Sequence, residues 1–133
     1  MICECTAQQS CTLTVRTYEC DSYGHVNNAN YLHYLEYARY EYLRDIGYDY
    51  PAVVKAGYGM FIARIEIDYK RPATVDDVLT IKSWPIKKGA VSGTLAQEIK
   101  RGEDLIVEAK VTWAFVDSQG KPVKPPAEYD LPA

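Results

Sequence analysis

The amino-acid sequence predicts an α+β domain in which an antiparallel sheet of about five strands packs against one long helix. Three features of the 133 residues predict it. Residues 11–18 (CTLTVRTY) alternate apolar and polar side chains, the period of a half-buried strand. Residues 30–46 switch to helical periodicity and stop at Gly47, a residue that readily ends helices. Beyond Pro51, strand-like segments return in close succession, joined by turns too short for a parallel crossover.

In the first strand Cys11, Leu13 and Val15 fall on one side, with Thr12, Thr14 and Arg16 on the other. In the helix, about 100° per residue puts Tyr31, Leu35, Ala38, Tyr42 and Ile46 on one face, flanked by Leu32 and Leu43. This face is expected against the sheet, because a single helix must bury its apolar stripe there. Asn30, His33, Tyr34, Tyr37, Tyr40, Glu41 and Arg44 take the other side. Three tyrosines on that side suit either a subunit interface or the shielding of a loop. After the loop AGYGM, the segment FIARIEIDYKRP alternates imperfectly and stops at Pro72. DVLTIKSWPI, AVSGTLAQEIK and LIVEAKVTWAFVD follow, divided by the turn signals KKG and RGED. The proline-rich end SQGKPVKPPAEYDLPA reads as an extended surface segment. There is no internal repeat, and residues 1–133 read as one domain.

Composition narrows the function classes. The chain is 47% hydrophobic and 25% charged, with a net charge of −3 and both signs interspersed, so it is expected neither to bind nucleic acid nor to coat a membrane. No apolar run approaches the roughly 20 residues of a membrane span. The opening MICECTAQQSC has no basic and apolar leader pattern, so a cytoplasmic location is expected. Cys3, Cys5, Cys11 and Cys20 lack a second close pair or a paired histidine, and are read as reduced, structural thiols. With no metal-ligand set, P-loop or dinucleotide fingerprint, no metal and no cofactor are expected.

The polar cluster DSYGHVNN stands directly before the helix. Aspartate and asparagine cap helices and glycine turns chains, so the cluster admits a purely structural reading. It also admits a chemical one. Asp21 offers a carboxylate able to attack an acyl carbon or to deprotonate water, and His25 stands close to it in sequence. The first helical turn leaves backbone N–H groups unpaired and carries about half a positive charge, a fit for a developing oxyanion. Gly24 allows close approach of the backbone to a ligand.

Three segments in this order, YECDSYGHVNNANYLHYLEYAR, IEIDYKRPATVDDVLTI and VDSQGKPVKPP, resemble the hotdog-fold acyl-CoA thioesterases of the 4-hydroxybenzoyl-CoA thioesterase type. The resemblance covers essentially the whole chain and implies a sheet wrapped around one long central helix. It places Asp21 on the family's catalytic aspartate and Asn28 where a backbone N–H holds the thioester oxygen. His25 is a further catalytic candidate. Gly24, Val26, Asn27 and Tyr31 are expected on the substrate side of the same loop, and Lys87 and Lys88 near the phosphates of CoA. Glu36 and Arg39, at the edge of the buried stripe, are expected to form a structural pair or interface contacts. The cluster is also similar to the D-x-N-x-H-V-N-N segment of plant acyl-ACP thioesterases, although Tyr23 stands where that segment has its first asparagine. The implied substrate is acyl-CoA or acyl-ACP. The implied assembly is a homodimer or a tetramer with the active site between subunits, and a non-catalytic acyl-binding module is the rival reading.

Overall fold

The computed structural model describes residues 9–131. Strand β1 (Gln9–Thr14) leads through a single 3₁₀ turn (Thr17–Glu19) and the polar loop into helix α1 (Asn28–Asp45). A short helix α2 (Tyr50–Lys55) precedes β2 (Gly59–Tyr69), β3 (Val78–Lys88), β4 (Ser92–Arg101) and β5 (Asp104–Val116). All pairings are antiparallel, in the order β1-β3-β4-β5-β2. Helix α1 packs on β1 and β3. This is the expected α+β arrangement of five strands about one long helix.

The elements depart from the sequence reading in four places. Helix α1 begins at Asn28 rather than Asn30, because Asn27 caps it by accepting the Ala29 N–H on its side-chain oxygen at 2.9 Å. Strand β1 stops at Thr14, since the chain then turns to bury Glu19. Helix α2 occupies residues 50–55, for which the sequence reading gives no element. Asp49 caps it by accepting the Ala52 N–H at 3.1 Å, and Pro51 sits in its first turn, where no N–H is required. Finally, Tyr34 is 2% exposed and belongs to the core, not to the outer side of α1.

Tyr31, Leu35, Ala38 and Tyr42 are buried from α1, while Leu32 is exposed. With Leu79, Ile81, Ile99, Ile106 and Val107 from the sheet and Val15, Val26 and Ala73 from its connections they form the core. Each aliphatic side chain buried this way contributes about 1.5–3 kcal/mol. Gln97 crosses this apolar layer without an unmet bond. Its amide nitrogen donates to the Leu35 carbonyl and to Ser83 Oγ, each at 3.0 Å, and its oxygen accepts from Arg39 at 3.2 Å. Cys11 and Cys20 are free thiols, and burial, with Glu41 and Asp45 nearby, pushes the Cys11 thiol up to about 11. Cys3 and Cys5 lie outside the described residues.

Two local constraints shape the regions around the site. Gly93 pairs with Trp113 across β4 and β5, and the indole lies where a side chain on residue 93 would stand. A Cβ there would meet Trp113 Cζ2 at 2.6 Å. The turn before β3 is held by Asp77, which accepts from the Thr74 N–H (2.8 Å), Thr74 Oγ1 (3.2 Å) and Arg101 Nη1 (2.9 Å). Among the described residues no helix is long and apolar enough to cross a membrane.

Gly93→Ala is expected to force Trp113 aside and destabilise the fold by about 1–3 kcal/mol, the range for overpacking, read by denaturant unfolding. The N–H of Thr74, with Arg101, holds the Asp77 carboxyl below its ordinary range. Its stabilisation is therefore complete above about pH 4 and disappears as pH falls through the lower folded-state value. Asp77→Asn should lower stability at neutral pH and flatten the acid-side loss, in urea melts compared at neutral pH and near pH 3.

Candidate active site

Residues 20–28 form a small closed loop at the entrance of α1. Cys20 and Val26 pair as an antiparallel bridge, and the Asp21 N–H donates to the His25 carbonyl at 2.9 Å. At the tip the Gly24 N–H returns to the Asp21 carbonyl at 3.0 Å. Gly24 has φ +81°, the left-handed region that glycine enters without strain. Asp21 is exposed, and one carboxylate oxygen accepts the Tyr23 N–H at 2.9 Å, leaving the other without a partner among the described residues.

The 69–77 connection fastens the loop from the sheet side. His25 pairs with Thr74, and the Val26 N–H donates to the Ala73 carbonyl at 2.8 Å. Tyr31 accepts the Ala73 N–H on its hydroxyl at 3.1 Å, and the Tyr69 hydroxyl donates to the Asn28 carbonyl at 3.2 Å. Val26 and Tyr31 are buried, so they support the loop from beneath. His25 is exposed, and its ring makes no hydrogen bond among the described residues; its main chain is what ties the loop down.

The first turn of α1 is partly satisfied. Asn27 takes the Ala29 N–H on its side chain and the Asn30 N–H on its carbonyl. The Asn28 N–H has no acceptor among the described residues. It is a donor at the positive end of an 18-residue helix.

A cavity of about 500 Å³ opens elsewhere, between the outer flank of α1 and the sheet. His33, Glu36, Tyr37 and Tyr40 supply the helix wall, and Met60, Ile62 and Trp113 lie opposite. It begins near His33, about 7.5 Å along the axis from Asn28 at 1.5 Å per residue. Of the residues expected at the site, Lys87 and Lys88 line this cavity, whereas Asp21, Gly24, His25, Val26, Asn27, Asn28 and Tyr31 do not. Lys88 is paired with Asp130 at 2.9 Å. Arg39 also lines the cavity. It bonds to Gln97 rather than to Glu36, and burial lowers its pKa against the opposing influence of Glu36. The cavity borders β2, an edge strand exposing Phe61, Ile62 and Tyr69.

Glu19, absent from the residues expected at the site, supports the loop from within. It is buried and accepts from Arg16 and Tyr34, and its carbonyl takes the Asn27 N–H and the Asn30 amide. The signal was a charged residue two places before Asp21, with an arginine three residues ahead of it. Among the described residues no three histidine, cysteine, aspartate or glutamate side chains gather as a metal site.

Comparison with known proteins matches residues 15–130 to the thioesterase-like superfamily. The chain is 34% identical over 107 residues to the long-chain acyl-CoA thioesterase FadM of Escherichia coli, covering 79% of this chain and 80% of that protein. It is 30% identical over 123 residues to the chloroplastic acyl-acyl carrier protein thioesterase ATL3 of Arabidopsis thaliana, covering 86% of this chain and 62% of that one. A probable thioesterase from Bartonella henselae superposes with TM-score 0.85 at 31% identity, over 90% of this chain and all of the other. Nearly the full length from the end of β1 to the C-terminal turn takes part in these matches, and the chain therefore belongs to the thioesterase-like superfamily as a hotdog-fold enzyme.

Proposed function

We propose that the chain hydrolyses acyl-CoA thioesters to a free carboxylic acid and CoA, with Asp21 as nucleophile or general base and the Asn28 N–H as oxyanion donor. The observation that carries this reading is the unpaired Asn28 N–H at the start of α1, on the same pinned loop as an exposed carboxylate. As the carbonyl carbon becomes tetrahedral its oxygen gains negative charge, and a fixed donor at a helix start stabilises that charge more than the ground-state carbonyl. The oxygen of Asp21 not bound to Tyr23 then attacks the carbon, expelling the CoA thiolate to give a mixed anhydride that water opens to the free acid and the Asp21 carboxylate, or it removes a proton from an attacking water, the thiolate leaving as the tetrahedral adduct collapses to the acid. Gly24 keeps the tip of the loop open to the substrate, and His25 stands as a second polar group beside it. Lys87, with no ion pair among the described residues, is the better placed of the two lysines for a CoA phosphate.

The same proposal includes a homodimer and a cytoplasmic location. An 11-residue edge strand exposing apolar side chains is a template for pairing with a second copy. The cavity lies beside that edge and excludes the Asp21 of its own protomer, which favours an acyl group held at one protomer's loop and received by its partner's cavity. A second reading, with acyl carrier protein as the acyl donor, is favoured by the likeness to ATL3.

Free-thiol release from a panel of acyl-CoA and acyl-ACP substrates distinguishes the two donors. Asp21→Asn should lower kcat at least about 100-fold, the lower end of what general-base catalysis provides; unchanged release would remove Asp21 from the reaction. Sedimentation should give twice the 15.1 kDa chain mass. Ile62→Asp, which places like charges at the proposed β2 junction, should shift the protein to monomer and abolish turnover with the polar loop intact. An active monomer would contradict a cavity shared between subunits.

A further inference from the structure

We propose that Glu19, locked by Arg16 and Tyr34, is a positioning residue that sets the Asp21 carboxylate relative to the start of α1. The inference rests on the reading that Asp21 acts on the thioester. Glu19 Oε1 accepts the Arg16 N–H and the Tyr34 hydroxyl, each at 2.8 Å. Its Oε2 accepts Arg16 Nε at 3.0 Å and Nη2 at 2.6 Å. Its main-chain carbonyl accepts the Asn27 N–H at 2.9 Å and the Asn30 amide at 2.8 Å. One residue thus joins the end of the first strand, the second turn of the helix and the helix cap, and its side chain is only 8% exposed.

The charge is suited to fixing geometry rather than to adding stability. Arg16 is half exposed, so the ion pair adds little stability, whereas the hydrogen bonds on both oxygens of the buried Glu19 carboxylate fix its orientation. Burial acts to raise the Glu19 pKa, and the hydrogen bonds from Arg16 and Tyr34 outweigh it, keeping the group ionised and its bonds charge-assisted. Asp21 needs such support. It lies two residues further on, in the exposed loop, and among the described residues its own carboxylate is anchored by one contact, to Tyr23. The tip is carried by the Cys20–Val26 bridge, and both sides of that bridge run directly into residues held by Glu19. A tilt of Glu19 therefore moves the carboxylate with respect to the Asn28 N–H, and a displacement of 1 Å at a reacting group costs up to about 100-fold in rate.

Steady-state kinetics of Tyr34→Phe test this, with Tyr48→Phe as the matched control. Tyr48 also donates a partly buried hydroxyl, to the Tyr129 carbonyl at 2.6 Å, but beyond the opposite end of α1. Both variants keep their rings and should lose a similar few degrees in melting temperature. Tyr34→Phe should lower kcat about 10-fold with KM within about two-fold, the pattern of a misplaced reacting group, whereas Tyr48→Phe should leave both constants unchanged. Equal effects of the two variants on kcat, or a Tyr34→Phe effect confined to KM, would overturn the positioning role. Asp21→Asn measured alongside separates the two ideas. Full activity in that variant overturns the catalytic reading itself, and an inactive Asp21→Asn beside an unimpaired Tyr34→Phe overturns only the role of Glu19.

Discussion

The Glu19 carbonyl oxygen, shared between the Asn27 N–H and the Asn30 side chain, decides where α1 begins and how the chain enters it. With that acceptor in place Asn27 becomes the cap, Ala29 and Asn30 lose their free N–H groups, and of the first three positions Asn28 keeps an N–H without an acceptor among the described residues. A helix start with every donor satisfied offers nothing to an oxyanion. A start with one donor left free, on a loop closed by the Cys20–Val26 bridge, offers a single direction of approach.

The sheet completes this arrangement through the connection between β2 and β3. Ala73 holds Val26, Tyr69 holds the Asn28 carbonyl, and Asp77 with Arg101 keeps the connection in its turn. The loop is therefore referred to β2 and β4 as well as to α1. Because β2 is also the exposed edge, whatever pairs there bears on the helix entrance through Tyr69. The cavity beyond is defined by large rings on a fixed support: Trp113 rests over Gly93, and the buried Gln97 anchors Arg39. The partly buried Arg39 guanidinium, held by Gln97, adds a further charge to a wall that carries Glu36, Lys87 and Lys88 beside its aromatic rings.

The architecture was legible because its elements are defined by local periodicity. The alternation in residues 78–116, the short turns and the helical stripe from Tyr31 to Tyr42 each imply one type of element, and the requirement to bury one helix on one sheet does the rest. The errors fell where a tertiary bond overrode the local pattern. Tyr34, three residues after Tyr31 and about 60° from it, borders the buried face, and its bond to the Glu19 carboxylate and its edge-on contact with Tyr31 hold it in the core. Helix α2 was concealed by Pro51 and the glycines after it, which read as loop signals although proline suits a helix start. At the site, the residue types of the 21–28 loop were apparent from sequence, and their support was not. Glu19, Ala73 and Tyr69 act through main-chain or long-range contacts that no spacing encodes. The large cavity is equally illegible, being lined from α1, β2, β3 and β5 at once.

The position of the bound acyl carbonyl is the most direct test of this chemistry. A crystal structure with an acyl-CoA analogue in which a methylene replaces the thioester sulfur would show it. The ketone oxygen is expected within hydrogen-bonding distance of the Asn28 N–H, with the Asp21 carboxylate facing the carbonyl carbon and the acyl chain in the cavity of the other protomer. A carbonyl bound away from the start of α1, with Asp21 facing solvent alone, would contradict it.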